Sequence, residues 1–163
     1  MTDLRPRYED VERAVCDQVP FQISHVPDDV EHRYDAELDQ ALPTSPPVAR
    51  SATAGTPFEL KTCLLRKPSD GRPGQWIFHE KPHEFLKAEG GRYLLAVVDE
   101  LDLERWVVCG PRDLEHGLTW YDCPGTQGYR RQAHIEWPVV IGEVSWTSRG
   151  RRGRIPDDGG ESA

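Results

Sequence analysis

Two carboxylates and one ammonium group in this sequence have side-chain types suited to hydrolysis with a divalent cation. Asp35 lies in one segment of alternating residues, and Glu59 and Lys61 lie in the next such segment along the chain. Two carboxylates held together repel each other, so they either raise a pKa or bind a cation. Hard oxygen ligands favour Mg²⁺ or Mn²⁺, and a lysine beside a ligand can orient or deprotonate a metal-bound water, or balance the charge of a phosphate. The residue types therefore predict a metal-assisted phosphate site.

Two predicted strands must position these groups. Residues 33–39 alternate strictly between apolar and charged side chains, and residues 58–65 alternate as well, which is the pattern of half-buried strands. In each segment the charged residues fall on the face opposite the apolar ones. If the two strands are neighbours, Asp35, Glu59 and Lys61 converge at one edge of a sheet.

The rest of the chain supplies further predicted elements in a mixed order. They are a helix over 8–19, a short strand over 75–79, a helix over 82–89, strands over 93–98 and 105–109, a short helix over 111–116, and a final strand or edge element over 139–146. Residues 41–56 are rich in Pro, Ser, Thr, Ala and Gly and predict a long connection, either mobile or draped over the surface. This order indicates an α/β domain with a mixed central β-sheet flanked by helices.

Length and composition limit the class of protein. The 163 residues fit a single domain, expected over 1–147, with a disordered tail over 148–163 that has almost nothing to bury. The longest apolar run, residues 93–98, is far shorter than the roughly 20 residues that cross a bilayer, and the first residues do not form a signal peptide. We therefore expect a soluble cytoplasmic protein without a membrane partner, whose four scattered cysteines are small buried hydrophobic residues.

Charge is distributed unevenly along the chain. The formal net charge is −8, and the basic residues are 16 Arg and 4 Lys, which suggests a GC-rich genome and a salt-loving, halophilic host. Net acidity disfavours non-specific DNA binding, but residues 61–92 hold seven bases and four acids and predict a local positive surface. The basic residues that could contact DNA phosphates, or merely form a solvated cluster, are Arg66, Lys67, Arg72 and Lys81.

The pattern resembles the PD-(D/E)XK, or restriction-endonuclease-like, nuclease superfamily, possibly of a haloarchaeal type. Its signature is an acid at the start of one strand and Glu-x-Lys in the next, preceded by a helix that often carries another glutamate. These places fall on Asp35, on Glu59-Leu60-Lys61, and on Glu9 or Glu12. The resemblance covers residues 8–98. Residues 75–79, 83–86 and 93–98 resemble the elements that complete the sheet in this superfamily.

The resemblance implies a restriction-endonuclease-like fold and Mg²⁺-dependent hydrolysis of DNA phosphodiester bonds, with Mn²⁺ as an alternative ion. Asp35 and Glu59 would be metal ligands together with the carbonyl of Leu60, and Lys61 would position the attacking water. A glutamate of the first helix would assist, with Glu9 preferred slightly over Glu12. Many members of the superfamily work as dimers, so a homodimer is a further expectation.

Plainer interpretations of the same residues stay open at this point. Asp35, Glu59 and Lys61 could form an ordinary solvated sheet face, on which cross-strand charge pairs contribute only about a few tenths of a kcal/mol. The protein would then be a catalytically inactive DNA-binding or protein-interaction module. His83, early in its helix, is expected to be a surface histidine.

Overall fold

The computed structural model describes residues 8–26, 34–123 and 131–141. The predicted tail over 148–163 and most of the predicted final element, from residue 142 onwards, lie outside the described residues. No helix in these three ranges is long and apolar enough to cross a membrane.

Three α-helices and eight strands form the described fold. The helices are α1 (Tyr8–Gln18), α2 (Glu80–Glu89) and α3 (Trp137–Val140), with a 3-10 helix at Pro111–Gly117. The strands are β1 (Ile23–His25), β2 (Ala36–Leu38), β3 (Pro57–Leu64), β4 (Gln75–His79), β5 (Arg92–Asp99), β6 (Asp102–Cys109), β7 (Tyr121–Asp122) and β8 (Arg131–Glu136).

The central sheet has five strands in the order β1-β2-β3-β5-β6. β3 and β5 run parallel, and the other neighbouring pairs are antiparallel, so the sheet is mixed. A parallel pair needs a crossover connection, and β4 with α2 provides it between β3 and β5. A second sheet of three strands has the order β4-β8-β7.

Apolar residues cover both faces of the central sheet. On one face Phe58 and Leu60 of β3 join Val15 of α1 in a buried cluster. On the other face Leu95 of β5 joins Leu86 of α2, with residues of the second sheet, in another buried cluster. Because β5 is buried on both faces, its sequence is a continuous apolar run, as expected for a central parallel strand.

Residues 41–56 form the predicted long connection between β2 and β3, and three of their side chains pack on the sheet. Leu42, Val48 and Ala52 are buried in the cluster on the α1 face. Leu42 bridges to Ala52 within the segment, and Val48 bridges to Val108 of β6. The segment therefore covers part of the sheet.

The sequence patterns missed three short strands and misassigned one element. The predicted strand over 139–146 is wrong where it can be compared, because Trp137–Val140 is helical and Pro138 stands in the first turn, where proline fits. β1, β7 and β8 were not predicted. β1 and β7 have only three and two residues, too few to show a period, and β8 has only two buried apolar positions, Ala133 and Ile135.

Candidate active site

Asp35 and Glu59 come to the same place because β2 and β3 are antiparallel neighbours. Ala36 pairs with Phe58 in this register, so Asp35 lies opposite Glu59, one step beyond the last paired residues. Asp35 accepts a hydrogen bond at 2.9 Å from the backbone N–H of Leu60. This bond fixes the Asp35 carboxylate against the start of β3.

Glu59 and Lys61 are two residues apart in β3 and therefore share a face of the strand. The side chains are only 13% and 9% exposed, and Lys61 Nζ lies 3.6 Å from Glu59 Oε2. Burial raises the pKa of Glu59 to about 7, and the nearby Asp35 carboxylate contributes, whereas Lys61 offsets part of the shift. The site thus holds more negative charge than its one lysine balances.

Glu12, rather than the preferred Glu9, is the first-helix acid that the structure brings to this place. Glu12 is buried, and it also raises the pKa of Glu59. Its Oε1 lies 3.0 Å from Nε2 of His25 in β1. Glu9 lies on a more exposed part of α1, where its carboxylate pairs with Arg13 at 3.5 Å. We call Glu12, Asp35, Glu59 and Lys61 the acid–lysine cluster.

Tyr8 is a member of this neighbourhood that sequence reasoning did not single out. Its hydroxyl is hydrogen-bonded to Glu12. Desolvation raises the pKa of Tyr8 far above its ordinary value, and the carboxylates of Glu12, Asp35 and Glu59 raise it further. A neutral phenol, a hydrogen-bond donor at any ordinary pH, therefore lies at the solvent edge of the cluster beside Glu12, since 59% of Tyr8 is exposed.

A buried polar chain adjoins the cluster through β5. Tyr93 is the register partner of Glu59 across the parallel β3–β5 pair. The Tyr93 hydroxyl lies 2.7 Å from Nδ1 of His83, and Nε2 of His83 lies 2.7 Å from a Glu115 carboxylate oxygen. His83 is fully buried, so the expectation of a surface histidine is wrong. Its ring is held between α2, β5 and the 3-10 helix.

Three of the four predicted DNA contacts lie beyond the end of β3 that is opposite to the acid–lysine cluster. Arg66 and Lys67 follow the last residue of β3, Leu64, which is about 17 Å along the strand from Glu59 at roughly 3.3–3.4 Å per residue. Lys67 and Arg72 pair with nearby acids at 3.9 Å and 3.1 Å. Lys81 is exposed near the start of α2. The structure therefore does not gather Arg66, Lys67 and Arg72 around the acids.

The donor set of the acid–lysine cluster suits a hard divalent cation. Within residues 8–26, 34–123 and 131–141, no group of three or more His, Cys, Asp or Glu side chains forms a ready metal cage. Mg²⁺ does not require such a cage, since it is commonly bound by one or two carboxylates with water and substrate phosphates. Asp35 and Glu59 supply oxygen ligands, and the raised pKa of Glu59 reflects a buried site short of positive charge. A cation would relieve this shortage.

Comparison with known proteins gives one result that agrees with this geometry. A sequence model described as a PD-(D/E)XK nuclease superfamily domain matches residues 7–142. No curated protein sequence matches the chain. The match contains every described helix and strand, and the mixed central sheet with helices confirms the expected α/β, restriction-endonuclease-like fold. Nucleases of this superfamily generally use divalent metal ions. The chain belongs to the PD-(D/E)XK nuclease superfamily.

Proposed function

We propose that this protein is a Mg²⁺-dependent endonuclease that hydrolyses phosphodiester bonds in DNA, with Mn²⁺ as a substitute ion. The observation that carries the proposal is the meeting of Asp35, Glu59 and Lys61 at the junction of β2 and β3. A solvated sheet face would leave these groups in water, whereas Glu59 and Lys61 are nearly buried. Burying charge costs free energy, so its presence here favours a functional role.

Each residue of the cluster has a distinct role in the proposal. Asp35 and Glu59, with the carbonyl of Leu60, would hold the cation, which would supply electrophilic activation of the phosphate when bound. Lys61 holds its ammonium next to Glu59, where it orients the attacking water and stabilises charge that develops on the phosphate. Glu12 replaces Glu9 in this proposal as the assisting acid, because it is the one that acts on Glu59.

A second candidate is a catalytically inactive DNA-binding module of the same fold. One observation favours it. The Asp35 carboxylate already accepts a hydrogen bond from the Leu60 N–H, so it has a structural role without a cation. In this alternative the cluster stabilises the β2–β3 junction, and only DNA binding remains.

Plasmid cleavage separates the two candidates. Purified protein is incubated with supercoiled plasmid and Mg²⁺, and the wild type is compared with Asp35→Asn, Glu59→Gln and Lys61→Ala. Lys67→Ala, three residues beyond the end of β3, is the control, with all variants compared at protein concentrations that saturate the plasmid so that a weaker DNA contact does not affect the result. Cleavage that needs Mg²⁺ and is lost in the three variants but not in the control supports the endonuclease. Equal cleavage in all variants refutes the assignment of these residues, and binding without any cleavage favours the inactive module.

A further inference from the structure

A basic pocket opens at the same end of the central sheet as the acid–lysine cluster. Its volume is about 150 Å³. A single water needs only about 10–15 Å³ by a comparable measure, so the pocket has room for a phosphate group. The basic residues that line it are Arg50, Lys87, Arg92 and Arg112. The described lining includes no acid, although the whole chain has a net charge of −8.

The register of the sheet fixes the position of this basic pocket. Arg92 is the first residue of β5 and pairs with Phe58, the residue before Glu59 in β3. Neighbouring strands are about 4.8 Å apart, so the backbone of Arg92 lies one strand away from the residue that precedes Glu59. Arg112 follows the end of β6, and this end reaches the same edge because Cys109 pairs with Tyr93. The basic pocket and the acid–lysine cluster are thus adjacent.

Close packing of glycines holds the wall of the pocket against β3. Gly90 ends α2 with φ 68°, a left-handed conformation that glycine adopts without strain. A Cβ atom at Gly91 would come within 2.8 Å of the Pro57 carbonyl oxygen and 2.5 Å of a Leu86 methyl carbon. The end of α2 is therefore seated directly on the start of β3, and Lys87 is brought with it.

The four cations differ in how firmly they are held. Arg92 donates to the carbonyl oxygens of Ser51, Gly90 and Gly91 at 2.6–3.0 Å, so its guanidinium is fixed by uncharged groups. Arg50 forms a two-pronged ion pair with Asp113. Lys87 is close to carboxylates as well, namely those of Glu84 and Glu115, each at 3.4 Å.

Two features make this pocket suited to an anion. Desolvation lowers the pKa of Arg92, and the neighbouring Arg50 lowers it further, against a partial offset by Asp113. Like charges held together in this way are stabilised by an anion between them. In addition, Arg112 is exposed and has no hydrogen bond or ion pair within the described part of the chain. Its guanidinium is available for a ligand that offers a bidentate oxygen pair, as a phosphate does.

We infer that the basic pocket binds a backbone phosphate of nucleic acid and thereby seats the substrate strand next to the acid–lysine cluster. This inference rests on the proposed function, since it takes its ligand from the nuclease substrate. Phosphate contacts position a protein on nucleic acid and do not read its sequence. The pocket accordingly contributes affinity and placement of the scissile bond, without base preference.

DNA binding without hydrolysis tests the inference. A short labelled duplex is titrated with protein in EDTA, by fluorescence anisotropy, from 50 to 200 mM salt. We expect Arg112→Ala to weaken binding by roughly threefold to tenfold and to reduce the slope of log K against log salt by about one. Arg112→Lys should restore the salt slope, because it keeps the charge, but only part of the affinity, because an ammonium cannot make the two-pronged contact. The matched control is Arg13→Ala, an exposed arginine on α1, which should bind like the wild type.

Equal affinities and salt slopes for Arg112→Ala and wild type overturn the inference. A free phosphate is distinguished by thermal unfolding in sodium phosphate and in sodium chloride of equal ionic strength. Stabilisation by phosphate that Arg112→Ala abolishes, with DNA binding unchanged, would assign the pocket to the free anion and overturn the nucleic-acid ligand. Cleavage is measured separately with Mg²⁺. If the wild type does not cleave but Arg112→Ala binds less DNA, the proposed hydrolysis fails and the pocket stands.

Discussion

The two ends of β3 carry charged side chains in opposite surroundings. At its start, Glu59 and Lys61 are 13% and 9% exposed and only loosely paired at 3.6 Å. We call residues 65–74, which connect β3 to β4, the β3–β4 turn, and its charged side chains are much more exposed. Lys67 pairs with Asp70 there, and their side chains are 36% and 46% exposed.

The buried charges at the start of β3 lower the stability of the fold, whereas the exposed charges beyond its end change the stability very little. Exposed ion pairs contribute about 0–1 kcal/mol to the free energy of unfolding, so those of the β3–β4 turn need no functional explanation. Buried charges must recover a desolvation cost, and here a second carboxylate, Asp35, adds repulsion to it. A chain retains such an arrangement when chemistry requires it. This contrast supports the proposal that the active site lies at the start of β3.

The largest expected difference between the two ends is in the rate of DNA cleavage. Lys61→Ala should lower the single-turnover rate with Mg²⁺ by about 10²–10³-fold, because it removes a preorganised positive charge from the reacting phosphate. Lys67→Ala should leave the rate unchanged, since its ammonium lies beyond the opposite end of the strand. Quenched-flow gel assays on a short duplex measure both rates. Similar losses in the two variants would remove the distinction between the ends.

The next effect is a pH dependence of stability that originates at the start of β3. The pKa of Glu59 is about 7 in the folded chain and has its ordinary value of 4.5 in the unfolded chain, so the folded chain binds more protons between these values. The free energy of unfolding should therefore fall as the pH rises through this window. Urea titrations in EDTA at pH 5 and pH 8 measure it.

Glu59→Gln supplies the comparison for this pH dependence. The variant should lose the decline between pH 5 and pH 8 and should be more stable than the wild type at pH 8, because it removes a buried charge. Glu89→Gln, an exposed position at the end of α2, should retain the decline. A wild-type profile that rises with pH and is copied by Glu59→Gln would contradict the raised pKa.

A divalent cation should offset the cost of the charged cluster. At about 100 times its Kd, Mg²⁺ should stabilise the wild type by about 2.7 kcal/mol at pH 8, as ligand linkage requires. Asp35→Asn should lose most of this gain, because the cation loses a carboxylate ligand. Differential scanning calorimetry with and without Mg²⁺ measures the effect. An equal gain in Asp35→Asn would place the cation elsewhere in the molecule.

The smallest effects on stability are expected for substitutions in the β3–β4 turn. Arg66→Ala and Lys67→Ala should each change the free energy of unfolding by less than about 0.5 kcal/mol, because their contacts are local and exposed. Urea titration measures the free energy of unfolding, and the cleavage assay measures the rate. Either variant could weaken DNA binding while the cleavage rate of bound DNA stays unchanged. The β3–β4 turn would then contact the duplex at a distance from the acids, as the sequence predicted.

Long elements of this fold were predictable because their patterns are long. β3 and β5 each have eight residues, enough for alternation or a continuous apolar run to be recognised. β1 was missed because three residues show no period, although its pairing with β2 is what extends the sheet on the side of Asp35. Short strands are stabilised mainly by pairing with neighbouring strands. A local sequence pattern does not show this pairing when the neighbour is distant along the chain.

The sequence led to Asp35, Glu59 and Lys61, which the structure brings together, whereas only the structure shows that Glu12 rather than Glu9 lies beside them. Glu12 stands at helical spacing with the buried Val15, Cys16 and Val19, so it occupies the apolar face of α1. A charge on that face was the available signal for a buried functional acid. His83 repeats the lesson in α2, since it lies three residues before the buried Leu86.

The packed segment between β2 and β3 has a consequence for how this protein can vary. β2 and β3 are antiparallel neighbours, so a tight turn of a few residues could join them. Such a shortened chain would keep Asp35 opposite Glu59 but would lose Arg50 and the core contribution of Val48. If the proposed roles are correct, insertions and deletions at this junction can change the binding of a substrate strand without changing the residues of the acid–lysine cluster.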